Sequence, residues 1–533
     1  MKILHVMQDV SGGLPAYVRN LAKGLSAAGV ENRILAVRPE PRGIASAPHI
    51  EESEMGGIPG YRLSASAGDL TDPRYLCAHP DMEASFADLL RAAKPNVVHF
   101  HSLCGVPASL VQLAHVLGFA VVLTLHDVCA LCRPYRFFLR DDGSECAGPL
   151  NGHACVSCNP DQKAAWLLER FRYGREVVNN CCDEVVAVSE YVRETHALYG
   201  YRKDIRILRH GTALTLRATP RRIAETPRLL FVGGLRPQKG LHVLLEALRQ
   251  VPPEYYTLSV YGGGSRHQFE SVIRPRFPSI SMEYLDSYTP EDAAAVFDDH
   301  DLLIVPALGA EAAGLVLQEA RARCLPVICS DAGGLPEYVI GGENGWLHPR
   351  GDVEILAHLL RERLANPGLL QGMADGLFQA PARRFADVAE DYRAIYANLA
   401  DLKKPRLRPP APNTASASNR GVMEFSPANH VRTHMGKIVA EFHRRRLGQT
   451  WVFGTGTVAD LVAPHLEMAG IRVLGHFDND PARQGTMRLG CPILAPMAAD
   501  GNAIILAASS HAQILPQLHR LGFAADDIFL AYP

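Results

Sequence analysis

The sequence predicts an α/β protein made of two strand–helix units with parallel sheets, followed by a smaller third unit of the same kind. Three observations predict it. Short apolar runs alternate with amphipathic stretches from residue 1 to residue 402. That alternation restarts at "RLLFVGGL" (228–235), as though a second sheet begins there. A stretch rich in Pro, Ser and Asn, "KKPRLRPPAPNTASASNRG" (403–421), then sets apart a last strand–glycine turn–helix–strand segment. Strands that alternate with helices form a parallel sheet covered on both faces.

The elements follow in order. "KILHVM" reads as a buried strand, and "GGLPAYVRNLAKGLSAAG" as a helix with Tyr17, Leu21 and Leu25 on one face and a stop at Gly29. "NRILAV" is a strand, "ASFADLLRAAKP" a helix ended by Pro95, and "NVVHFH" a strand. "PASLVQLAHVLG" is a helix, and "AVVLTLHD", "DEVVAVS" and "DIRILRHG" are strands. In the second unit "GLHVLLEALRQV", "PEDAAAVFDDH" and "EILAHLLRERLANP" are helices among the strands "YTLSVYGGG", "DLLIVPAL" and "LPVICSD". "FADVAEDYRAIYANLADL" is its terminal helix. The expected divisions are 1–215, 216–402, a flexible linker over 403–433 and a small Rossmann-like module over 434–533.

Composition narrows the function classes. Of the 533 residues, 54 are basic and 56 acidic, a balance that argues against nucleic acid as a partner. The start "MKILHVMQDV" lacks the apolar core and cleavage site of an export signal, and no run of 18 apolar residues occurs. Twelve cysteines without an export signal suggest reduced thiols in a cytoplasm.

The second unit carries the most informative chemistry. "FVGGLRPQKG" (231–240) ends a strand on two glycines and places Arg236 and Lys239 in the following turn. Glycines let a ligand approach the backbone, and parallel sheets bind ligands at the carboxyl ends of their strands. "VYGGG" (260–264) repeats the arrangement. "ALGAEAAGLVLQEA" (307–320) then offers a helix N-terminus, which favours phosphate. Together these make a diphosphate site in which protein cations replace a metal. Glu311 and Glu319, with seven residues between them, suit the hydroxyls of a hexose and a ribose at the two ends of a nucleotide sugar.

The block "EAAGLVLQEARARCLPVICSDAGGLPEYVIGGENGWL" (311–347) joins the glutamate pair to "LPVI", "GGLPE" and "NGWL". With these motifs in this order, residues 1–402 resemble the family-4 retaining glycosyltransferases of the GT-B fold, two Rossmann-like domains facing a cleft. The resemblance implies that Glu311 contacts the donor hexose, Glu319 the ribose, and Arg236 and Lys239 the diphosphate. The backbone around Ala313, Gly314 and Leu315 would cap the phosphate oxygens. Three positions depart from the family. It usually has a bulky aromatic where Ala313 stands, glycine where Cys324 stands, and asparagine where His210 precedes Gly211.

In the first unit, "DVSGGLPAY" sets Gly12 and Gly13 between the first strand and helix. The resemblance places both glycines near the donor phosphate and His126 against the donor sugar. His99 and His101, in "VVHFHS", and Asp127 complete the strand-end polar groups, and His101 is a second cleft candidate. A lone histidine at a strand end is more often structural. Retention in the family is ascribed to front-face attack, with the leaving phosphate oxygen taking the acceptor's proton. No side chain stands out as a general base.

Two further constellations remain. Cys129, Cys132, Cys155 and Cys158 form two C-x2-C pairs with 22 residues between them, a spacing that fits structural zinc, with Cys146 as an alternative ligand and His153 nearby. In the last unit Gly454, Gly456 and Ala459 make a G-x-G-x-x-A turn, and Asp478 follows 24 residues after Gly454. That approaches a dinucleotide fingerprint, but the leading reading is a ligand-free structural or interaction module, with NAD or another nucleotide as the alternative. The expectation is a glycosyltransferase that moves a sugar from an NDP-sugar donor to a glycan or lipid-linked acceptor in surface polysaccharide synthesis. It would need no cofactor for catalysis and would work in the cytoplasm, associated peripherally with the inner face of the membrane. An epimerase or phosphorylase of the same fold, or a non-catalytic NDP-sugar-binding regulator, is the alternative.

Overall fold

The computed structural model describes residues 1–9, 12–40, 48–66, 79–132, 164–202 and 204–402, isolated residues between them, and the strands with some neighbouring residues of 445–530. Residues 1–413 form one compact unit and 414–533 another.

The first sheet has the order β3-β4-β2-β1-β5-β6-β7-β8. Its strands are β1 (Lys2–Gln8), β2 (Glu31–Glu40), β3 (His49–Met55), β4 (Ile58–Ser66), β5 (Val97–His101), β6 (Ala120–Leu125), β7 (Glu184–Ala187) and β8 (Arg206–Ile207). All neighbours are parallel except the β3–β4 pair. Helices α1 (Gly13–Ala27), α2 (Pro80–Ala93), α3 (Ala108–Val116), α4 (Ala164–Cys181) and α5 (Glu190–Leu198) connect them. The apolar face foreseen for α1 is buried: Tyr17, Val18, Leu21 and Leu25 all sit in the core.

The second sheet, entirely parallel, runs β11-β10-β9-β12-β13-β14. These are β9 (Arg228–Val232), β10 (Thr257–Tyr261), β11 (Met282–Leu285), β12 (Leu302–Val305), β13 (Val327–Ser330) and β14 (Gly345–His348). Counted within the sheet this is the doubly wound order 3-2-1-4-5-6, which reverses direction between β9 and β12. Ligands bind outside the carboxyl ends of the strands at such a reversal. The first sheet reverses in the same way between β1 and β5. Both reversal points therefore mark where a site is expected.

Helices α6 (Leu241–Leu248), α7 (Ala293–Asp298), α8 (Leu315–Ala322), α9 (Val353–Leu364) and α10 (Pro367–Gln379) accompany the second sheet. The last helix, α11 (Phe385–Leu402), returns to the first sheet. Its Phe385, Val388, Ala389, Tyr392, Ile395 and Tyr396 share one core with Tyr17, Leu21, Leu25 and Val122. Burying six such side chains stabilises the return by roughly 1.5–3 kcal/mol for each large one.

The C-terminal unit has a third sheet, β17-β18-β16-β15-β19-β20. Its strands are β15 (Gln449–Phe453), β16 (Arg472–Phe477), β17 (Met487–Arg488), β18 (Cys491–Leu494), β19 (Ala503–Leu506) and β20 (Ile528–Leu530). Phe453, Phe477, Ile504, Leu518 and Phe523 form its core.

Candidate active site

The two glycine loops and the loop after β12 meet at the reversal of the second sheet. The amides of Leu308 and Gly309 donate to the carbonyl of Gln238 at 2.9 and 3.1 Å. This backbone stitch brings the turn that carries Lys239 against the segment that carries Glu311. The Lys239 Nζ lies 2.7 Å from Glu311 Oε1, with the lysine side chain 37% and the glutamate 14% exposed. Arg236 is exposed on the same turn, in extended backbone just before the one-turn helix Pro237–Lys239.

Helix α8 begins one residue past its N-cap Gly314, so its first amides have no intrahelical partner, four residues after Glu311. Ala313 is half-buried just ahead of the N-cap. Glu319 lies one turn into α8, where Tyr288 donates its hydroxyl to Oε2 at 3.1 Å. Burial raises the Glu319 carboxyl above its ordinary range, and the Tyr288 bond opposes the rise. The two carboxylates therefore differ: Glu311 is paired with a cation at the mouth, Glu319 with a phenol deeper in.

The "GGLPE" block supports this loop from behind. A Cβ on Gly333, whose φ is +62°, would run into the carbonyl of Glu311, and one on Gly334 into that of Ala312. Only glycine permits so close an approach. The rest of the block reaches the first sheet's side. The Glu337 carboxylate accepts from the amides of Glu190 and Tyr191, both at 2.8 Å, at the start of α5. Tyr338 donates its hydroxyl to the Val188 carbonyl at 2.8 Å and accepts from the His210 amide at 3.2 Å. Much of this motif thus locks the two halves together and need not touch a ligand.

From the first half, Gly13 faces α8. A Cβ on Gly13 would stand 3.0 Å from Leu315 Cδ1, so this glycine keeps the cleft narrow. Gly12, at φ +128°, caps the start of α1. His126 follows β6 directly, and its ring packs 4.5 Å from Tyr17 and 6.0 Å from His210. His101 lies behind it, Nδ1 3.1 Å from His126 Nε2. Burial, and secondarily the neighbouring His210, hold the His126 imidazole well below its ordinary pKa.

His99 is not at the cleft. Its two nitrogens bond Tyr396 at 2.6 Å and Thr124 at 2.7 Å inside the core, the structural role usual for a strand histidine. Asp127 is structural too: it accepts from the Ser102 hydroxyl at 3.1 Å and the Cys129 amide at 2.8 Å, fixing the loop after β6.

Sequence reading did not assign Tyr17, Tyr288, His5 or His210 to the site, although Tyr17 was placed on the apolar face of its helix and His210 noted where the family has asparagine. Both nitrogens of the His210 ring are enclosed and without a partner, and burial takes its pKa down to about 3. A signal for His5 existed, a histidine at the centre of an apolar strand, "KILHVM".

For the cysteines, Cys129 is buried against Cys104, whose hydrogen bond raises its thiol pKa, with burial second. Among the described residues, the group of three side chains close enough to hold one metal is His5, His99 and His101, with no cysteine in it. Cys158 and His153 lie outside the described residues. So do Gly454, Gly456 and Ala459, while Asp478 directly follows β16 with its amide 3.1 Å from the Leu494 carbonyl.

Comparison with known proteins agrees with this geometry. Residues 12–211 match the glycosyl transferase 4-like domain, and residues 215–376 match the glycosyl transferases group 1 family. Together these matches support a glycosyltransferase with the GT-B fold. Sucrose-phosphate synthase from Thermosynechococcus elongatus superposes with a TM-score of 0.57 at 18% identity, over 75% of this chain and 99% of that one. Anabaena HepE, in complex with UDP and glucose, gives 0.53 at 17% identity over 74% and 99%. In sequence, a D-inositol 3-phosphate glycosyltransferase of Corynebacterium efficiens is 24% identical over 66% of this chain and 81% of its own length. The amylovoran biosynthesis glycosyltransferase AmsK of Erwinia amylovora is 31% identical over 33% of this chain, and the match spans only 44% of that relative. No helix among the described residues is long and apolar enough to cross a membrane.

Proposed function

We propose that this GT-B protein transfers a hexose, with retention, from an NDP-sugar to a glycan or lipid-linked acceptor in surface polysaccharide synthesis, at the cytoplasmic side of a membrane. The observation that carries the reading is the Lys239–Glu311 pair at the reversal of the second sheet, with Glu311 four residues ahead of the first amide of α8. A diphosphate there would draw Lys239 from Glu311 and meet Arg236 and the helix amides. Glu311, released, would accept from a hexose hydroxyl. Glu319, deeper, would accept from the ribose. The cations carry the charge that a metal carries elsewhere, so the leaving diphosphate needs no divalent ion. The leaving oxygen takes the proton of the attacking hydroxyl on the same face of the sugar, which preserves configuration. The Anabaena protein's complex with UDP and glucose supports a nucleotide-sugar donor.

The test is incubation with a panel of nucleotide sugars, with and without lipid-linked acceptors, in the presence of chelator. Acceptor-dependent release of the nucleotide diphosphate is expected. Conversion of the nucleotide sugar without acceptor would mean an epimerase instead. For the cysteine-rich segment we retain a structural zinc, supported by its paired C-x2-C spacing alone. Elemental analysis of the freshly purified, reduced protein should find about one zinc per chain, and none would remove the assignment.

A further inference from the structure

His126 is the outer end of a row of imidazoles that runs into the core. Parallel pairing sets His5 opposite His99 and His101 opposite Thr124. Alternation along β5 and β6 then points His99, His101 and the position of His126 to one face. Neighbouring strands lie about 4.8 Å apart, so rings on that face can touch. His101 Nδ1 is 3.1 Å from His126 Nε2, and His101 Nε2 is 3.0 Å from His5 Nδ1. The row ends where His5 Nε2 lies 3.1 Å from Asn32 Oδ1.

Each link needs one donor and one acceptor. A neutral imidazole has one of each, so the direction of a single link fixes all the others. Asn32 sets that direction. Its amide nitrogen faces the Val30 carbonyl at 2.8 Å, the Ser26 hydroxyl at 3.1 Å and the Ala22 carbonyl at 3.3 Å. Carbonyls only accept, so the amide nitrogen belongs on that side and the amide oxygen faces His5. His5 therefore donates from Nε2 and accepts at Nδ1. His101 donates from Nε2 to His5 and accepts at Nδ1. His126 donates from Nε2 to His101, which leaves its Nδ1 without a proton.

We infer that Asn32, His5 and His101 are positioning residues that lock His126 in the Nε2–H tautomer, so that it presents a bare Nδ1 acceptor to the cleft. The ring is half-buried, and Nδ1 is not among the enclosed polar atoms. Such a group accepts from a hydroxyl and repels a phosphate oxygen. It would face a hydroxyl of the sugar or of the acceptor, never the diphosphate. Burial keeps the row neutral, with His5 down at about 4. The row stops at an amide, which cannot carry a proton onward, so it orients His126 and does not drain protons from it. The hydroxyl partner rests on the transferase reading above; the tautomer does not.

The test is two-bond proton–nitrogen correlation on the full chain labelled at histidine with nitrogen-15. His126 is assigned by loss of its signals in His126→Gln. The expected result is one Nε2–H tautomer for His126. Asn32→Leu should turn it into a mixture and lower kcat at least tenfold. An Nδ1–H tautomer in the wild type would overturn the inference, even if Asn32→Leu does not fold. A single Nε2–H tautomer in a protein that turns over no nucleotide sugar would uphold the row and sink the transferase reading alone.

Discussion

The two banks of the cleft solve the problem of polar groups in opposite ways. On the bank built from β9–β14 the groups at the mouth are charged, carried on loops and partly in water, with Lys239 37% exposed and meeting a carboxylate, while Glu319 lies deeper on α8. On the bank built from β1–β8 they are imidazoles, carried on strands or just past their ends, buried or half-buried, and burial lowers the pKa of every one. Charge survives where water or a ligand's phosphates can reach it, because an isolated buried charge is far too costly. Where the sheet buries a polar group, hydrogen bonds between neutral rings replace ion pairs. The charged bank is suited to an anion, the neutral bank to hydroxyls.

That contrast breaks most sharply if the charged bank is neutralised. Lys239→Ala and Arg236→Ala should each reduce turnover at least tenfold, about 1.4 kcal/mol of transition-state stabilisation. Together they should reduce it at least about a hundredfold, with chelator present throughout. Full activity of the double variant would show that the diphosphate is held elsewhere.

Within the same bank the two glutamates should separate. Glu311→Gln should impair transfer far more than it impairs binding of the free nucleotide diphosphate. Glu319→Gln should weaken that binding itself, because Glu319 sits deeper and Tyr288 already orients it. Each lost charged bond costs about 1.5–3 kcal/mol. Calorimetric affinities paired with initial rates decide it, and unchanged values for both variants would return the pair to surface charge.

The neutral bank has its own signature, in pH. His5 is protonated near pH 4 when folded and near 6.5 when unfolded, so between those values the unfolded chain binds more protons. Stability is therefore lost as pH falls below 6.5 and recovered as it rises. For His5 alone the loss from pH 7 to pH 5 is about 2 kcal/mol. Denaturant midpoints of the wild type and of His5→Gln, each taken at both pH values, measure it. An equal drop in the two proteins would show that His5 is not held neutral.

The same contrast explains what could be read in the sequence. The charged bank is local: Glu311, in the loop before α8, and Glu319, within α8, lie eight positions apart in one stretch, and Arg236 and Lys239 share one turn. Their spacing was visible without a structure. The neutral bank is assembled by register, which joins His5 to a strand more than ninety residues away. No local pattern carries that, so His101 and His126 were seen singly, Tyr17 only as a core residue of its helix, and His5 only as part of a buried strand. The strand–helix alternation gave the sheets, but the return of α11 to the first core depends on long-range packing of Tyr392 and Tyr396. Cys324, where the family has glycine, shows in the structure why glycine is usual there. It sits at φ +53° just past α8, a left-handed position that glycine favours, and its side chain is retained against Met373 and Leu377.

The smallest effect tests whether the banks must meet closely. Gly13 is the first residue of α1 and has no positive φ, so alanine fits its backbone. Alanine is the better helix former, by at most about 1 kcal/mol. The added Cβ would stand 3.0 Å from Leu315 Cδ1, the far end of a flexible side chain that can yield by a few tenths of an ångström. Stability should therefore stay within about 1 kcal/mol of the wild type, while the cleft is held slightly wider. Leu315 opens α8, so widening there moves the helix amides away from whatever α1 presents. Donor KM should rise and kcat fall by a few-fold, about 1 kcal/mol in kcat/KM. Leu315→Ala in the same chain should restore the rate by making room for the methyl group. An unaltered kcat/KM in Gly13→Ala would mean that the neutral bank contributes through His126 alone and that the approach of α1 to α8 has no part in turnover.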